Sequence, residues 1–523
     1  MEDNNNALHN PDDNIGITPE PSTEGSYRYS GLNSASSEAE TKVDTTFFRK
    51  MALPCLIFAV LFVAFMYHNS SSYTMTLWIA SLAALVVYSV KATGRELKKD
   101  SRFVIGVMLL IAASTFFTGN EAILFLNWVA EFILVLVLLL HNYADDTDWD
   151  FGKYFFESVA AIFLSIGRIF RPFTDLAAFC KENKKGEDKK GKYVLIGIAI
   201  ALPLLFILGL LLSSADMVFS DIMGNFLEII TLPENFFGVL VMLVFGFFAA
   251  FCGLCYMSED AKSLTFTKKR NGEPTVAITI MAAISVMYLM FSVIQILYLF
   301  VGGFELPDGV TYAEYARTGF FQLLAVCVLN LIAVLLMKKY FRENKALNIL
   351  LLVVSGCTYI MIASSAMRMI MYIQAYHLTF MRVFVLVALF TLAVLLAGVI
   401  VSIFKEGFCF FRYGVAVISI VYILFAFSHS EYFIAKYNFA QRDSAMLEVS
   451  KNKNIDVRYI SELSTDAAPA IADFFEDNGI AKAAWKDYPW YCRYINLNDS
   501  FIENGTTFRK FNLSAYIADG VSR

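Results

Sequence analysis

Between Met51 and Ser428 the chain returns repeatedly to long, mostly apolar runs separated by short polar breaks. Lipid offers no hydrogen-bonding partner to a peptide group, so a segment that enters a bilayer must satisfy its own backbone as a helix or join a closed barrel. A crossing helix needs about 20 mostly apolar residues, with about 17 as the lower end. Eleven runs reach or approach that length: 51–67, 73–90, 103–118, 122–141, 193–212, 236–257, 276–301, 319–337, 347–367, 383–403 and 413–428. The third and last are slightly short. Composition points the same way, since 57% of residues are apolar and 17% charged, against about 45–50% and about 25% in soluble domains. A net charge of −5 argues against a nucleic-acid partner. Eight cysteines, mostly inside apolar runs, exclude a disulfide-framed secreted scaffold.

The first 45 residues are polar and acidic, with repeated Asn and Ser. Such a stretch cannot bury enough apolar surface to offset its ordering entropy, so residues 1–45 are expected to be a disordered cytoplasmic tail. No short basic start leads into an apolar core there, so the first run, near Met51, is expected to act as an uncleaved anchor. Lys/Arg placement sets the orientation. The breaks 91–102, 142–192, 258–275 and 338–346 are rich in basic residues. The breaks His68–Ser72, 119–121 and 213–235 carry none, and 302–318 carries only Arg317. The loops 368–382 and 404–412 tie. The expected topology is a cytoplasmic N-terminus, a transmembrane domain over 46–428, and an extracytoplasmic C-terminal domain over 429–523, in the cell membrane.

Residues 153–173 resemble a twelfth crossing but read better as a helix lying in the interface. Phe155, Phe156, Val159, Ile162, Phe163, Ile166, Phe170 and Phe173 share one face, opposite Glu157, Arg168 and Arg171. The tail carries 11 Lys/Arg and 13 Asp/Glu, as a small soluble domain does. Ser464-Thr465-Asp466 marks a helix start, Pro469 fits its first turn, Ala470, Ile471, Phe474 and Phe475 give an apolar face, and Gly479 ends it. A second helix is expected from Glu431 to Val449, continuing the last crossing, and a weak strand hint lies at 491–497. The expected fold is thus all-α and polytopic: about 11 crossings, one interfacial helix and a small, mainly helical C-terminal domain.

Glu131 is the sharpest single residue, midway along the fourth run with Asn127 one turn earlier. A carboxyl at that depth costs about 2.5–3.5 kcal/mol on insertion scales, so it must be paired, protonated or wetted. It reads either as a proton or cation site or as a packing residue hydrogen-bonded to Asn127 or Gln295. Acids cluster in two breaks expected outside: Asp216, Asp221, Glu228 and Glu234, then Glu305, Asp308 and Glu314. Arg317, Arg368, His377 and Arg382 are expected at the same surface, where such groups suit a lipid headgroup, a saccharide or a cation, or simply form a hydrated surface. Glu314 and Arg317 are spaced to pair along one helix turn. Cys252 and Cys255 read as apolar packing, and five scattered histidines give no haem or zinc set; no cofactor is expected. Trp485, Tyr488, Trp490, Tyr491 and Tyr494 suit either sugar stacking or a small core. The nucleotide-binding, nucleophile-elbow and zinc-protease motifs are absent.

Four stretches resemble a family of bacterial multi-pass membrane proteins catalogued as a domain of unknown function. They are Thr311-Tyr-Ala-Glu-Tyr-Ala-Arg317 with Gly319-Phe-Phe-Gln322; Arg368, Tyr372, Tyr376, Leu378-Thr379 and Arg382; Tyr437-Asn438, Tyr459-Ile460 and Leu463-Ser464-Thr465-Asp466-Ala467; and Phe511-Asn512-Leu513-Ser514. The resemblance spans roughly 195–518. It implies a bacterial cytoplasmic-membrane protein, supplies no activity, and favours Arg317, Arg368 and Arg382 over Glu131. The family often has a small residue where His377 stands, so His377 is given no role. The leading expectation is a non-enzymatic sensor, scaffold or envelope-assembly component acting at the outer face, its partners the bilayer and an envelope protein or lipid headgroup. One alternative is a secondary transporter using Glu131. Another is an envelope-polymer or lipid-linked saccharide enzyme using the outer acids, although the break His68–Ser72 lacks the acid that polyprenyl-phosphate glycosyltransferases place in their first outer loop.

Overall fold

The computed structural model describes residues 45–147, 149–182, 235–260, 271–297, 312–405, 407–441 and 455–522, with scattered positions between 197 and 219. The described residues are helical and contain no strand. In chain order the bundle helices are α1 (Thr46–Met66), α2 (Tyr73–Ala92), α3 (Ser101–Phe117), α4 (Glu121–Tyr143), α5 (Phe151–Ile166), α6 (Arg171–Glu182), α7 (Phe236–Asp260), α8 (Pro274–Gln295), α9 (Tyr312–Tyr340), α10 (Lys345–Tyr376), α11 (Phe380–Phe404) and α12 (Phe410–Ala426). Then come α13 (Ser430–Ala440), α14 (Ile455–Ser461), a 3-10 turn (Thr465–Ala467), α15 (Ala468–Asp477), a second 3-10 turn (Lys482–Asp487), α16 (Pro489–Gly505) and α17 (Leu513–Ser522).

Eight of the described helices are long and apolar enough to cross a membrane: α1, α2, α4, α7, α8, α9, α10 and α11. The shorter α3 is apolar, and α12 passes the same test only together with α13, from which it is bent by 56°. The expected crossing at 193–212 lies largely outside the described residues, as does the basic run 181–192 apart from its first two residues. The crossings are apolar on every side: Leu53, Phe132, Val286 and Phe404 point outward from them and are more than half exposed. That arrangement is stable only where the surroundings are themselves apolar. The protein is an integral, multi-pass membrane protein.

Two apolar cores hold the bundle. One joins α1 to α4 with α7, around Met51, Ile79, Met108, Leu138 and Phe251. The other joins α8 to α11, around Met281, Phe320, Leu351 and Leu389. Within them, buried polar side chains pair across helices. Asn127 Nδ2 donates to Ser114 Oγ at 2.9 Å and its Oδ1 accepts from Tyr422 at 2.6 Å. Asn330 accepts from Tyr288 at 2.7 Å and donates to Thr358 at 3.0 Å.

The polar breaks sort to two ends. At one end Arg412 meets Asp100 at 3.0 Å, Arg168 and Arg171 meet Glu259, and Lys339 meets Asp150. Asp146 is the hub of that end: Lys98 Nζ and His141 Nδ1 lie 2.7 and 2.5 Å from its oxygens, and Tyr154 donates to it. Burial alone would raise its carboxyl, but these donors outweigh burial and hold it well below the usual carboxylate range. Nearby, α5 exposes Phe155, Phe156 and Phe163 while Tyr154 and Glu157 turn inward, so Glu157 packs within the protein, and the segment read as one helix breaks at 167–170 between α5 and α6.

Two expectations fail. The helix that was to continue the last crossing to Val449 instead breaks at Phe427–His429, where His429 adopts a left-handed φ of +47, and α13 ends at Ala440. The strand hint at 491–497 lies inside α16, because Trp490, Tyr491, Tyr494, Asn498 and Ile502 recur at helical spacing and are the residues that bury. The start at Ser464, the early Pro469 and the stop at Gly479, with φ +67, stand as read.

Candidate functional site

The tail folds around Phe475. Its ring stacks on Trp490 at 5.3 Å and on Trp485 at 4.9 Å, and Tyr491 and Tyr494 complete the buried set. The aromatic cluster is therefore a core. The tail meets the bundle through apolar contacts, such as Phe511 with Phe116 and the tail core with Leu378, Phe380 and Val383, and through a set of buried polar side chains.

Asp466, in the first 3-10 turn, is buried and accepts from both halves of the molecule. Its Oδ2 takes the Thr118 hydroxyl at 2.5 Å, and its Oδ1 takes the Gly119 N–H at 2.9 Å and the Ser514 hydroxyl at 2.5 Å. Ser464 fixes the turn by accepting the Asp466 N–H. Asn512 does the complementary work: its Nδ2 donates to the carbonyls of Ser71, Thr115 and Thr118 at 2.7, 3.0 and 3.1 Å, while its Oδ1 accepts from Ala515 N–H at the start of α17. Asn438 clamps the backbone of Leu378, giving and taking one bond at 2.9 Å each, and the Tyr459 hydroxyl accepts the Phe380 N–H at 2.8 Å. The tail thus bonds backbone groups just before α2, at the end of α3 and in the break between α10 and α11. Gly119 allows the approach, since a Cβ there would collide with the Thr465 hydroxyl.

Beside this seam the tail and the bundle enclose a cavity of about 660 Å3. Asn69, Ser70, Asn120 and Glu121 line it from the bundle, and Glu431, Glu462, Asn498, Ser500, Asn504 and Lys510 from the helices that follow. Glu462 is held by Arg493 and Arg458, and Lys510 by Asn504. Glu431 is only 7% exposed and accepts the Ser464 N–H at 2.7 Å. Burial pushes its carboxyl up to about 7, the Ser464 bonds draw it partly back, and the charge of Asp466 adds to the rise.

The residues singled out from sequence are dispersed. Glu131 is 2% exposed, and neither carboxyl oxygen has a hydrogen-bond partner among the described residues. Its two expected partners are engaged elsewhere: Asn127 with Ser114 and Tyr422, and Gln295 with Ser364 at 2.6 Å and Arg368 at 3.3 Å. Arg368 is not at a surface but buried, with its guanidinium against the bare face of Gly319. Arg382 caps α10 by donating to the carbonyls of Tyr376 and His377, and lies 4.1 Å from the Tyr372 ring. His377 sits at φ +61, a conformation that favours a residue without a Cβ. The side chains of Glu314 and Arg317, like Asp221, Glu228, Glu234, Glu305 and Asp308, lie outside the described residues, whereas Asp216 accepts from the Val218 and Phe219 N–H groups. No metal-binding group of His, Cys, Asp or Glu occurs among the described residues. Glu431, Asp466, Asn438 and Asn512 were not assigned to a site from sequence, because polar residues in a soluble-looking tail read as surface. The signal present was their place in or beside the four resembling stretches.

A family model described as a domain of unknown function, DUF4153, matches residues 105–474. The match begins inside α3, well before residue 195, and takes in three of the four stretches; Phe511–Ser514 lies beyond it. No curated protein and no solved structure matches the chain.

Two outcomes follow from the seam. Asp466→Asn weakens bonds of the charged class, about 1.5–3 kcal/mol each, and Gly119→Val forces the turns apart by an independent route. In hydrogen exchange on the detergent-solubilised chain, both variants should expose amides of 455–522 while α1 to α4 keep their protection. For Glu431, the folded value of about 7 exceeds the ordinary value of about 4.3. Its contribution to stability is therefore full below the ordinary value and is lost as pH rises through 7. Thermal melting should fall between pH 5 and 8 in the parent chain, and Glu431→Gln should flatten that slope.

Proposed function

The chain belongs to the DUF4153 family, whose description assigns no activity, and we propose that it is a non-enzymatic binding protein of the cell membrane that takes an uncharged, hydroxyl-rich ligand at its outer face. The observation that carries this reading is the cavity walled jointly by the bundle and the tail. A ligand there touches both, so occupancy changes how firmly the tail docks. That coupling suits a sensor or an envelope-assembly scaffold. The lining mixes amides and hydroxyls with apolar side chains such as Phe380 and Leu497, and three glutamates against one lysine disfavour a phosphate. Saccharide and polyol headgroups supply the donors and acceptors such a wall wants.

The orientation rests on charge. Arg168, Arg171, Lys339, Arg412 and Lys98 gather at the end away from the tail, and basic residues stay in the cytoplasm. The tail then lies outside, with the amphipathic α5 in the inner interface.

Two cysteines test the orientation. Cys492 in the tail and Cys409 at the basic end are both partly exposed. In intact cells with any outer barrier permeabilised, an impermeant maleimide should label Cys492 and lose that signal in Cys492→Ser. Cys409 should react only once the membrane is opened, and the reverse pattern inverts the topology. For the ligand, melting of the purified full chain should rise with millimolar N,N′-diacetylchitobiose, and not in Ser500→Trp, which fills the cavity. A larger rise with glycerol 3-phosphate would overturn the choice of an uncharged ligand.

A further inference from the structure

The break between α12 and α13 borders a second hollow, an apolar groove of about 520 Å3 between α11 and α12. Val387 and Phe390 form one wall, Leu424 the other, and Phe433 stands beyond the break. Phe390, Leu424 and Phe433 are 60%, 68% and 58% exposed, so the groove opens sideways along helices that cross the membrane rather than into the protein. Ser430, 4% exposed, is among the residues that line the groove, and its buried hydroxyl has no hydrogen-bond partner among the described residues. A buried hydroxyl without a partner is destabilising.

An apolar trough facing lipid, with an unanswered donor among its lining residues, has the polarity pattern of one leg of an acyl lipid. We infer that this groove binds one acyl chain of a membrane diacyl phospholipid, with the ester carbonyl of that chain accepting from Ser430 Oγ. The chain buries its methylenes against Val387, Phe390 and Leu424, and the ester ends where the helix bends and the polar tail begins. Val286 and Met290 on α8 are exposed to the bilayer as well but lie outside this groove. The site needs no ligand in the polar cavity, so it stands or falls separately from the saccharide reading.

The test is photo-cross-linking of the full chain in phosphatidylethanolamine nanodiscs doped with a phosphatidylcholine carrying a diazirine on one acyl chain. Cross-links should concentrate on peptides bearing Val387, Phe390, Leu424 and Phe433, several-fold above those on α8. Val387→Trp should bring them down to the α8 level. Ser430→Ala, removing a bond of about 0.5–1.5 kcal/mol, should lower them roughly 2- to 12-fold. Unchanged labelling of α8 in both variants shows that they remain folded and inserted. Equal labelling of groove and α8 in the parent chain, or a Val387→Trp variant labelled like the parent, overturns the site as annular lipid only. A groove that stays unlabelled while α8 reacts means that protein, not lipid, covers it.

Discussion

A carboxylate withdrawn from water must find its solvation in the protein, and Asp466 finds it in donors from sequence positions nearly 350 residues apart. Thr118, Gly119 and Ser514 stand in for the water that Asp466 gives up. An uncompensated buried charge is among the most costly defects a fold can carry. The tail therefore cannot leave the bundle a little; it either keeps all of these donors or exposes the carboxylate to water. Asn512 and Asn438 impose the same condition in amide form, because each matches backbone groups that have no other partner in place. These three polar side chains, with the apolar contacts of Phe511 and of the tail core beside them, join a soluble-type core to a lipid-type bundle.

Inside the bundle the same chemistry works at smaller scale. Hydrophobic burial does not select helix neighbours where the solvent is itself apolar, so packing and interhelical hydrogen bonds carry more of the choice. The Asn127–Ser114–Tyr422 set ties α4 to α3 and α12, and the Asn330–Tyr288–Thr358 set ties α9 to α8 and α10. Gly319 lets Arg368 lie between α9 and α10, where Gln295 of α8 meets it. This family-resembling arginine is thus buried among α8, α9 and α10.

Crossings, the two-ended charge pattern and α15 of the tail were legible because each is written in consecutive residues: an apolar run, a count of lysines, a Ser-Thr-Asp start before Pro469. Sites made by distant residues were not. Nothing adjacent to Asp466 announces Gly119, and nothing adjacent to Glu431 announces the cavity it enters. Glu131 drew attention because depth makes any acid conspicuous, while Glu431, at least as consequential, sat in an acidic tail where acids are ordinary. The break at His429 was hidden for a related reason: Phe427-Ser428-His429 contains neither Gly nor Pro, and the bend is set by what packs on either side.

That bend organises both hollows. Turning the chain by 56° after Ala426 puts consecutive residues to opposite uses, with Ser430 lining the apolar groove and Glu431 lining the polar cavity. A straight helix would continue the crossing past the end of the apolar run and carry Glu431 away from Ser464, whose N–H it accepts. The tail could not then lay Asp466 onto Gly119. Any change that straightens or further bends the chain at His429 must move groove, cavity and seam together, since one short element, α13, is packed against all three. Events in the lipid and events at the tail therefore meet at a single joint.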